Sequence, residues 1–351
     1  MNIIYNFGIY FYVVLLKFAS LFNAKARLWV KGRRNLFRRL NQVFPVSQRV
    51  IWIHCASLGE FEQGRPLIEK IKAEKPDYFV LLTFFSPSGY EIRKNYPLAD
   101  YVCYLPADTP NNATKFIETV KPNLVYFVKY EFWRNYLHFL HKKNIPVYLI
   151  SAIFRENQIF FRWYGSFFKT LLHYFRHIYV QDQNSGELLQ KKGITEVSVS
   201  GDTRFDRVYQ IKNAAKTIPE IEKFKGQNSI LIAGSSWEPD EEMIIRYYKE
   251  NQGKIKLIIA PHEVHSFNIS RIKNAFGKNC TLFSEMNIQE IENKDVILVD
   301  TIGHLSSLYQ YGDIGFIGGG FGKGLHNTLE AATFGLQIGR ASCRERVCHR
   351  V

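Results

Sequence analysis

The first 59 residues contain no aspartate or glutamate, although they include nine lysines and arginines. The last stretch, 337–351, is also basic, with four arginines and one glutamate. These two ends carry most of the formal net charge of +14, so the body between them is nearly neutral. Because nucleic-acid-binding proteins usually show a basic face within the folded domain, we predict no nucleic-acid partner.

Cysteine is also scarce. The five cysteines lie at positions 55, 103, 280, 343 and 348, and none of them forms a Cys-x-x-Cys pair. Structural zinc sites and disulfide frameworks depend on regular Cys or His spacings. We therefore predict a reduced protein that faces the cytosol, with no metal site and no cofactor.

An apolar, aromatic segment opens the chain at residues 3–22 and is long enough to cross a bilayer. Lys17 interrupts it, and tyrosines and phenylalanines crowd positions 5–12, as is typical of a membrane interface. Seven lysines and arginines follow between positions 25 and 39 and suit anionic headgroups. We predict a membrane anchor at 1–24 and lipid contacts through 1–39. A spanning anchor, a monotopic anchor and a helix buried in the core remain alternatives.

From residue 50 onward, apolar runs rich in β-forming residues alternate with amphipathic helical stretches. Seven such runs lie at 50–55, 78–85, 100–106, 123–130, 146–151, 177–182 and 197–202. A polar stretch near 208–228 precedes four more, at 229–235, 254–261, 295–301 and 313–320. Near-continuous apolar strands between helices indicate parallel sheets covered on both faces. We predict an α/β protein of two doubly wound domains, 25–207 and 208–336, facing each other across a cleft.

Two carboxylates follow predicted strands of the first domain. Glu60, in HCASLGEFEQG, would lie in the first turn of a helix, where the helix dipole alone stabilises a negative charge. A general base is the other interpretation of this position. Glu131, in VYFVKYEFWRN, has aromatic neighbours that would partly desolvate it. A structural pairing with Lys129 or Arg134 is the alternative there.

The segment FIGGGFGKGLHNTLEAATFG, residues 316–335, places five glycines between a predicted strand and a predicted helix. Free backbone amides at a helix N-terminus form an anion site suited to a nucleotide phosphate. The pattern is neither a dinucleotide fingerprint nor a P-loop. Two other strand ends, AGSSWEPDEE and IIAPHEVH, offer small polar groups and histidines. Close packing and ordinary capping are the structural alternatives for these three segments.

Five motifs, in order, resemble the 3-deoxy-D-manno-octulosonic acid (Kdo) transferase family: ASLGEFEQGRPLI, YEFWRN, ISAIFRENQIFFRWYG, AGSSWEPDEE and GGGFGKGLHNTLEAATFG. The resemblance runs from the anchor to about Leu336 and implies the GT-B fold, with two Rossmann-like domains. It further implies an inverting, metal-independent glycosyltransferase of lipopolysaccharide biosynthesis. Such an enzyme moves Kdo from CMP-Kdo to the lipid A precursor at the cytoplasmic face of the Gram-negative inner membrane.

The resemblance also assigns residues to functions. It makes Glu60 the expected general base and Glu131 a second catalytic carboxylate. Donor binding is expected at Ser235, Ser236, Pro261, His262, Gly319, Gly320, Gly322, Gly324, His326, Asn327 and Glu330. For the acceptor we expect Ser57, Gly59 and Arg65.

The chain departs from the family pattern at two places. Many members read Pro-Arg-His where this chain has Pro261-His262-Glu263, which removes an arginine expected near CMP. After Leu336 the chain reads QIGRASCRERVCHRV instead of an apolar strand and further helices. We interpret 337–351 as a non-native tail and expect an incomplete donor domain and poor activity.

Two other functions remain open at this point. One is a GT-B lipid glycosyltransferase that uses a UDP-sugar. The other is a non-catalytic, membrane-tethered protein that binds a nucleotide sugar.

Overall fold

The computed structural model describes residues 2–44, 49–215, 217–321 and 327–340. The chain divides into two compact units, Met1–Arg204 and Phe205–Val351. Each unit contains one sheet in which every strand pair is parallel. The predicted pair of doubly wound α/β domains is therefore confirmed.

The first unit contains seven strands and the helices that connect them. Its strands are β1 (Val50–Cys55), β2 (Phe79–Phe84), β3 (Tyr101–Tyr104), β4 (Leu124–Val128), β5 (Val147–Ala152), β6 (His177–Val180) and β7 (Val197–Val199). Its helices are α1 (Asn2–Ala19), α2 (Ala24–Gly32), α3 (Leu36–Val43), α4 (Leu58–Glu74), α5 (Pro87–Arg93), α6 (Pro110–Val120), α7 (Arg134–Lys142), α8 (Ser166–Leu172) and α9 (Gln183–Gln190).

The second unit begins at α10, which overlaps the point of division. Its helices are α10 (Arg204–Ala214), α11 (Pro219–Lys225), α12 (Glu238–Glu250), α13 (Ser266–Phe276), α14 (Leu305–Leu308) and α15 (Leu329–Thr333). Its strands are β8 (Ile230–Ser236), β9 (Lys256–Pro261), β10 (Cys280–Leu282), β11 (Val296–Leu298), β12 (Ile314–Ile317) and β13 (Gln337–Arg340).

The first sheet has the order β3-β2-β1-β4-β5-β6-β7. The chain adds β2 and β3 on one side of β1 and the remaining strands on the other. Because β1 and β4 are neighbours, with His54 opposite Phe127, the segments that follow them emerge side by side. Ligand crevices of open α/β sheets form at such a switch point, beyond the carboxyl ends of the strands.

Burial explains why β1 is apolar at every position except His54. All six residues are buried, with Trp52 in the hydrophobic cluster on one face of the sheet and Ile51 and Ile53 in a second cluster. A strand covered on both faces excludes water from every side chain, so a polar residue within it needs a partner. His54 is such a residue.

The second sheet has the order β10-β11-β9-β8-β12-β13, and its switch point lies between β8 and β12. The sequence predicted four of these six strands. It missed β10 and β13, which have three and four residues respectively. Gln337–Arg340 begins the segment interpreted as a non-native tail, and it pairs in parallel with Ile314–Ile317. Residues 341–351 lie outside the described residues.

Helix α1 is long and apolar enough to cross a membrane, and its candidate span Asn2–Ala19 contains no buried residue. Ile3 is 83% exposed and Phe7 is 71% exposed. The alternative of an apolar helix buried in the core is therefore wrong. Three of its polar and aromatic side chains nevertheless contact the rest of the first unit: Tyr5 and Asn6 near the start of the helix and Tyr12 near its middle.

Arg33 is an exception within the basic segment predicted to face headgroups. Its guanidinium lies over the rings of Trp29, Phe85 and Tyr104, at 3.8–5.0 Å from their centroids. It donates to the backbone carbonyls of Trp29, Phe85 and Leu105. Arg33 therefore fastens the N-terminal helices to the sheet, and the expectation of a headgroup contact is wrong for this side chain.

Gly318, directly after β12, lies where two strand ends approach closely. A Cβ atom here would be 2.4 Å from the carbonyl oxygen of Ser235 and 2.7 Å from Cα of Ser236. We expect Gly318→Ala to lower the free energy of unfolding of the second unit by about 1–3 kcal/mol, because backbone must move to admit the methyl group. Urea unfolding measures this, with Gly339→Ala as the control, since nothing lies within 4 Å of its Cβ position. Equal midpoints for the two variants would contradict the expectation.

Candidate active site

Glu60 and Glu131 follow the two strands that flank the switch point of the first sheet. After β1 the chain turns at Ser57, the N-cap of α4, and Glu60 lies in the first turn of that helix. After β4 the chain turns at Lys129, whose φ of 69° is left-handed, and reaches Glu131. Since β1 and β4 are hydrogen-bonded neighbours, both carboxylates belong to the same edge of the sheet.

Glu60 is half-buried, and the Ser57 hydroxyl donates a hydrogen bond to its carboxylate. Among the first-turn residues of α4, Glu60 is the acidic one, and its carboxylate lies near the positive end of the helix dipole. Phe61 is buried beneath this turn and fixes it on the sheet. The carboxylate is thus oriented by one neighbour and remains within reach of a ligand.

Glu131 is in a different environment, because only 7% of the residue is exposed. Its Oε2 lies 3.0 Å from Nε2 of His54 and accepts a hydrogen bond from the indole N–H of Trp133 at 2.5 Å. The sequence offered Lys129 or Arg134 as possible partners. The structure instead gives Glu131 a buried histidine from β1 and a tryptophan two residues along the chain.

His54 is fully buried, and both of its ring nitrogens have partners. Nδ1 lies 2.9 Å from the hydroxyl of Thr83, which itself accepts from the indole N–H of Trp52 at 2.7 Å. The Thr83 hydroxyl therefore has its own proton available for Nδ1. Nδ1 also lies 3.1 Å from the backbone carbonyl of Thr83, and Nε2 faces both the Glu131 carboxylate and the indole N–H of Trp133. The side chains of Thr83 on β2, His54 on β1 and Glu131 after β4 thus form one connected, buried polar network.

Sequence reasoning missed His54 and Trp133 as parts of the site. The signal for His54 was present, because it is the polar residue in the otherwise apolar strand VIWIHC. Such a residue demands a partner, but its partner Glu131 lies 77 positions away and only the strand order brings the two together. Trp133 was treated as a neighbour that desolvates Glu131, whereas it also donates a hydrogen bond to it.

The three residues predicted for acceptor binding lie at the start of α4 but differ in their contacts. Ser57 bonds Glu60. Gly59 is exposed, and a Cβ atom there would meet only the Ser57 hydroxyl oxygen, at 3.7 Å. Arg65 is engaged by Glu69 one turn later, at 2.7 Å. Their role in acceptor binding stays a prediction.

Several predicted donor residues gather at the carboxyl ends of β8, β9 and β12. Ser235 has a left-handed φ of 53°, and Ser236 donates its hydroxyl to Glu241 at 3.1 Å. Pro261 ends β9, and the amide of His262 donates to the carbonyl of Ser236 at 2.8 Å. The His262 ring stacks on that of Trp237, with centroids 4.5 Å apart.

The glycine-rich segment is described in part. The amide of Gly319 donates a hydrogen bond to the Asp240 carboxylate at 2.9 Å. Gly320 follows it in the loop after β12, near the end of the described range 217–321. Glu330 accepts hydrogen bonds from Ser306 at 2.6 Å and from the Asn327 side chain at 3.2 Å. The predicted donor residues Gly322, Gly324 and His326 lie outside the described residues.

A cavity of about 510 Å³ adjoins these strand ends within the second unit. Its lining comprises Ser236, Trp237, Glu238, Pro239, Asp240, Glu263, His265, Phe267, Asn268, Arg271, Gly319 and Phe321. Arg271, which the sequence did not single out, forms an ion pair with the buried Glu241 and bonds Asn268 at 2.7 Å. Burial raises the pKa of Glu241, and Arg271 opposes that increase.

Among the described residues, no group of three or more His, Cys, Asp and Glu side chains has a geometry that could hold a metal ion.

Asp108 lies beside the active-site segment and joins α1 to α7. Its carboxylate accepts from the Tyr5 hydroxyl at 2.6 Å and from the backbone amides of Asn135 and Tyr136 at 3.0 and 3.1 Å. Two free amides in the first turn of α7 thereby gain an acceptor. Burial raises the pKa of Asp108 to about 7, against the opposing effect of these hydrogen bonds and of the Arg134 charge.

The raised pKa of Asp108 predicts a pH-dependent stability. The folded protein keeps this proton up to about pH 7, whereas the unfolded chain releases it near the ordinary value of 3.8. The folded state therefore binds more protons between these values, and the free energy of unfolding falls as pH rises through that window, by at most about 1.4 kcal/mol per unit. Urea unfolding of the wild-type chain and of Asp108→Asn from pH 4 to pH 8 tests this. Parallel curves for the two proteins would contradict it.

Three comparisons bear on the chain. A family model described as 3-Deoxy-D-manno-octulosonic-acid transferase (kdotransferase) matches residues 31–207. The 3-deoxy-D-manno-octulosonic acid transferase of Haemophilus influenzae is 28% identical over 300 residues, which cover 82% of this chain and 69% of that protein. Its counterpart in Aquifex aeolicus is 29% identical over 313 residues, covering 86% and 80%. A solved UDP-GlcNAc 2-epimerase of Methanocaldococcus jannaschii is 15% identical, with a TM-score of 0.48 and coverage of 84% and 83%.

Proposed function

The chain belongs to the Kdo transferase family, and from this premise we propose that it transfers Kdo from CMP-Kdo to the lipid A precursor, with inversion and without a metal. The observation that carries this proposal is the position of Glu60. It is an accessible carboxylate at a helix N-terminus, on the edge of the sheet where ligands of this architecture bind.

Glu60 acts as the general base in this proposal. Its carboxylate removes the proton from a hydroxyl of the acceptor sugar as that oxygen attacks the anomeric carbon of Kdo. The bond from this carbon to the phosphate oxygen breaks, and CMP leaves with the electron pair. The hydrogen bond from Ser57 orients the carboxylate for this transfer. General-base catalysis of this kind contributes typically about 10²–10⁴ in rate.

In this proposal Glu131 stabilises the site and does not contact the substrate. It is almost wholly buried and is engaged by His54 and Trp133. We assign it the role of holding the segment after β4 against β1, so that the edge of the sheet keeps one shape. A buried polar network that is fully satisfied stabilises one arrangement over its alternatives.

The donor is assigned to the second unit, at the switch point between β8 and β12. Gly318 is required there because the strand ends approach closely. Gly319, whose amide bonds Asp240, lines the adjoining cavity. Arg271 supplies a guanidinium to the adjoining cavity. His262, which stands where the family pattern has an arginine, stacks on Trp237 in the wall of that cavity. We propose that Arg271 contacts an anionic group of the donor, the phosphate or the Kdo carboxylate.

Membrane attachment is proposed to be monotopic, at the cytoplasmic face of the inner membrane. Helix α1 exposes apolar side chains, yet both its first turns and its middle touch the first unit through Tyr5 and Tyr12. A helix that crossed the bilayer would carry these positions away from the body of the protein. A helix that lies in the interface keeps one face on the protein and offers the other to lipid. The 92% exposed Trp163 is a further side chain suited to that interface.

The transfer itself is tested with the purified chain in detergent micelles. We expect a Kdo-modified lipid product with CMP-Kdo and lipid A precursor, unaffected by EDTA. Turnover with UDP-sugars and none with CMP-Kdo would establish the alternative lipid glycosyltransferase. Binding of CMP without any transfer, even after the family's C-terminal sequence replaces residues 337–351, would favour the non-catalytic alternative.

The monotopic arrangement is tested separately. Asn2→Cys is labelled with a membrane-impermeant maleimide in inverted inner-membrane vesicles, after Cys343 and Cys348 are replaced by serine. Labelling without detergent places residue 2 on the cytoplasmic side, together with the body. Labelling only after detergent would show that α1 crosses the membrane.

A further inference from the structure

Helix α1 reaches the active-site segment through a row of aromatic rings. Tyr12 stacks on Phe85, with an interplanar angle of 21°. Phe85 in turn packs on Trp133, with centroids 4.6 Å apart. The indole N–H of Trp133 points at Glu131 and at Nε2 of His54. Three rings therefore connect the middle of α1 to the buried carboxylate.

A second, polar connection leaves α1 about two turns earlier. The Tyr5 hydroxyl donates to Asp108, which accepts from the backbone amide of Asn135. The Asn135 side chain also donates to Asn6 at 2.9 Å. Since α7 begins at Arg134, directly after Trp133, this contact fixes the segment at its other end.

We propose that α1, besides attaching the protein to the membrane, positions Trp133 and Glu131 for catalysis, with Tyr12 and Tyr5 as the positioning residues. A helix needed only as an anchor requires apolar side chains on its lipid face and no particular side chain on its other face. Here the inner face bears two tyrosines and an asparagine, each joined to a residue that touches the segment 129–135. The role in catalysis rests on the proposed transfer reaction, whereas the positioning of Trp133 does not.

The chain offers a matched pair of substitutions. Tyr12→Leu removes the ring that stacks on Phe85. Tyr10→Leu makes the same change two positions away, at a ring with no aromatic contact among the described residues; Tyr12 and Tyr10 are 43% and 51% exposed. Both variants lose one tyrosine from the same helix, and their binding to anionic phospholipid vesicles is measured to separate membrane attachment from positioning. Tyr12→Phe keeps the ring and serves as the rescue.

The readout is ¹⁹F NMR of the full chain labelled with 5-fluorotryptophan, in which Trp133→Phe identifies the Trp133 signal among the five tryptophans. We expect Tyr12→Leu to shift or broaden that signal and to lower kcat about tenfold, with KM for the acceptor within about twofold. Tyr10→Leu and Tyr12→Phe should change neither quantity.

Two results would overturn the proposal. One is a Trp133 signal in Tyr12→Leu that matches the signal in Tyr10→Leu. The other is a lower kcat with an unchanged Trp133 signal, because the effect would then not pass through this residue. If the unsubstituted chain transfers no Kdo at all, the proposed function fails, and the Trp133 signal still decides the positioning.

Discussion

Glu60→Gln is expected to lower kcat for Kdo transfer by about 10²–10⁴, with little change in KM and in stability. Glutamine has the shape of glutamate and can still accept the hydrogen bond from Ser57, but it cannot take up the proton of the acceptor hydroxyl. Initial rates at saturating CMP-Kdo and acceptor, measured against the unsubstituted chain, test this expectation. Thermal unfolding of both proteins shows whether the fold is intact.

The control for Glu60→Gln lies on the same helix. Glu74, in the last turn of α4, forms a long, exposed contact of 3.8 Å with Lys70, far along the helix from the strand end. Glu74→Gln should therefore keep kcat within about twofold, since exposed ion pairs contribute little. Normal turnover by Glu60→Gln would refute the assignment of the base.

Glu131→Leu is expected to lower the free energy of unfolding of the first unit by about 3–5 kcal/mol and to abolish most turnover. The substitution removes the carboxylate that bonds the Trp133 N–H and pairs with Nε2 of His54, and burying polar groups without that partner costs more than the lost hydrogen bonds themselves. Glu131→Gln should be much less destabilised, because an amide oxygen at the same place can accept from both donors. Urea unfolding followed by circular dichroism gives the comparison.

A double substitution separates stability from catalysis at this site. His54→Phe combined with Glu131→Leu replaces both buried partners by apolar groups and should recover much of the lost stability. It should recover no turnover if the network shapes the active-site edge. If the double variant is as unstable as Glu131→Leu alone, the penalty does not come from the unpaired histidine.

Strand periodicity made the two-domain fold predictable, because buried parallel strands are continuous apolar runs. All seven strands of the first sheet were expected within a few residues of their bounds. The short strands β10 and β13 were not predicted, because three or four residues are too few to show an apolar pattern. They are strands because they pair with β11 and β12 in the sheet. Periodicity also says nothing about strand order, which is what makes β1 and β4 neighbours.

The site was predictable in its accessible part and not in its buried part. Glu60 is marked by a local signal, a carboxylate just after a strand and at the start of a helix. The pairing of Glu131 with His54 and the contacts of Arg33 with Phe85 and Tyr104 join residues that are far apart in the chain. The local sequence around Glu131 favoured Lys129 or Arg134 as its ion-pair partner. In the folded protein its partner is instead His54, from strand β1.

The network of Thr83, His54 and Glu131 also constrains how the protein can evolve. Each member is buried, comes from a different strand or the loop after it, and satisfies the next. Loss of any one of them leaves a buried neighbour without its hydrogen-bond partner. Selection should therefore remove single substitutions at these positions unless a second, compensating substitution follows. These three positions should therefore covary across relatives as one inherited unit, exchanged for apolar side chains together or not at all.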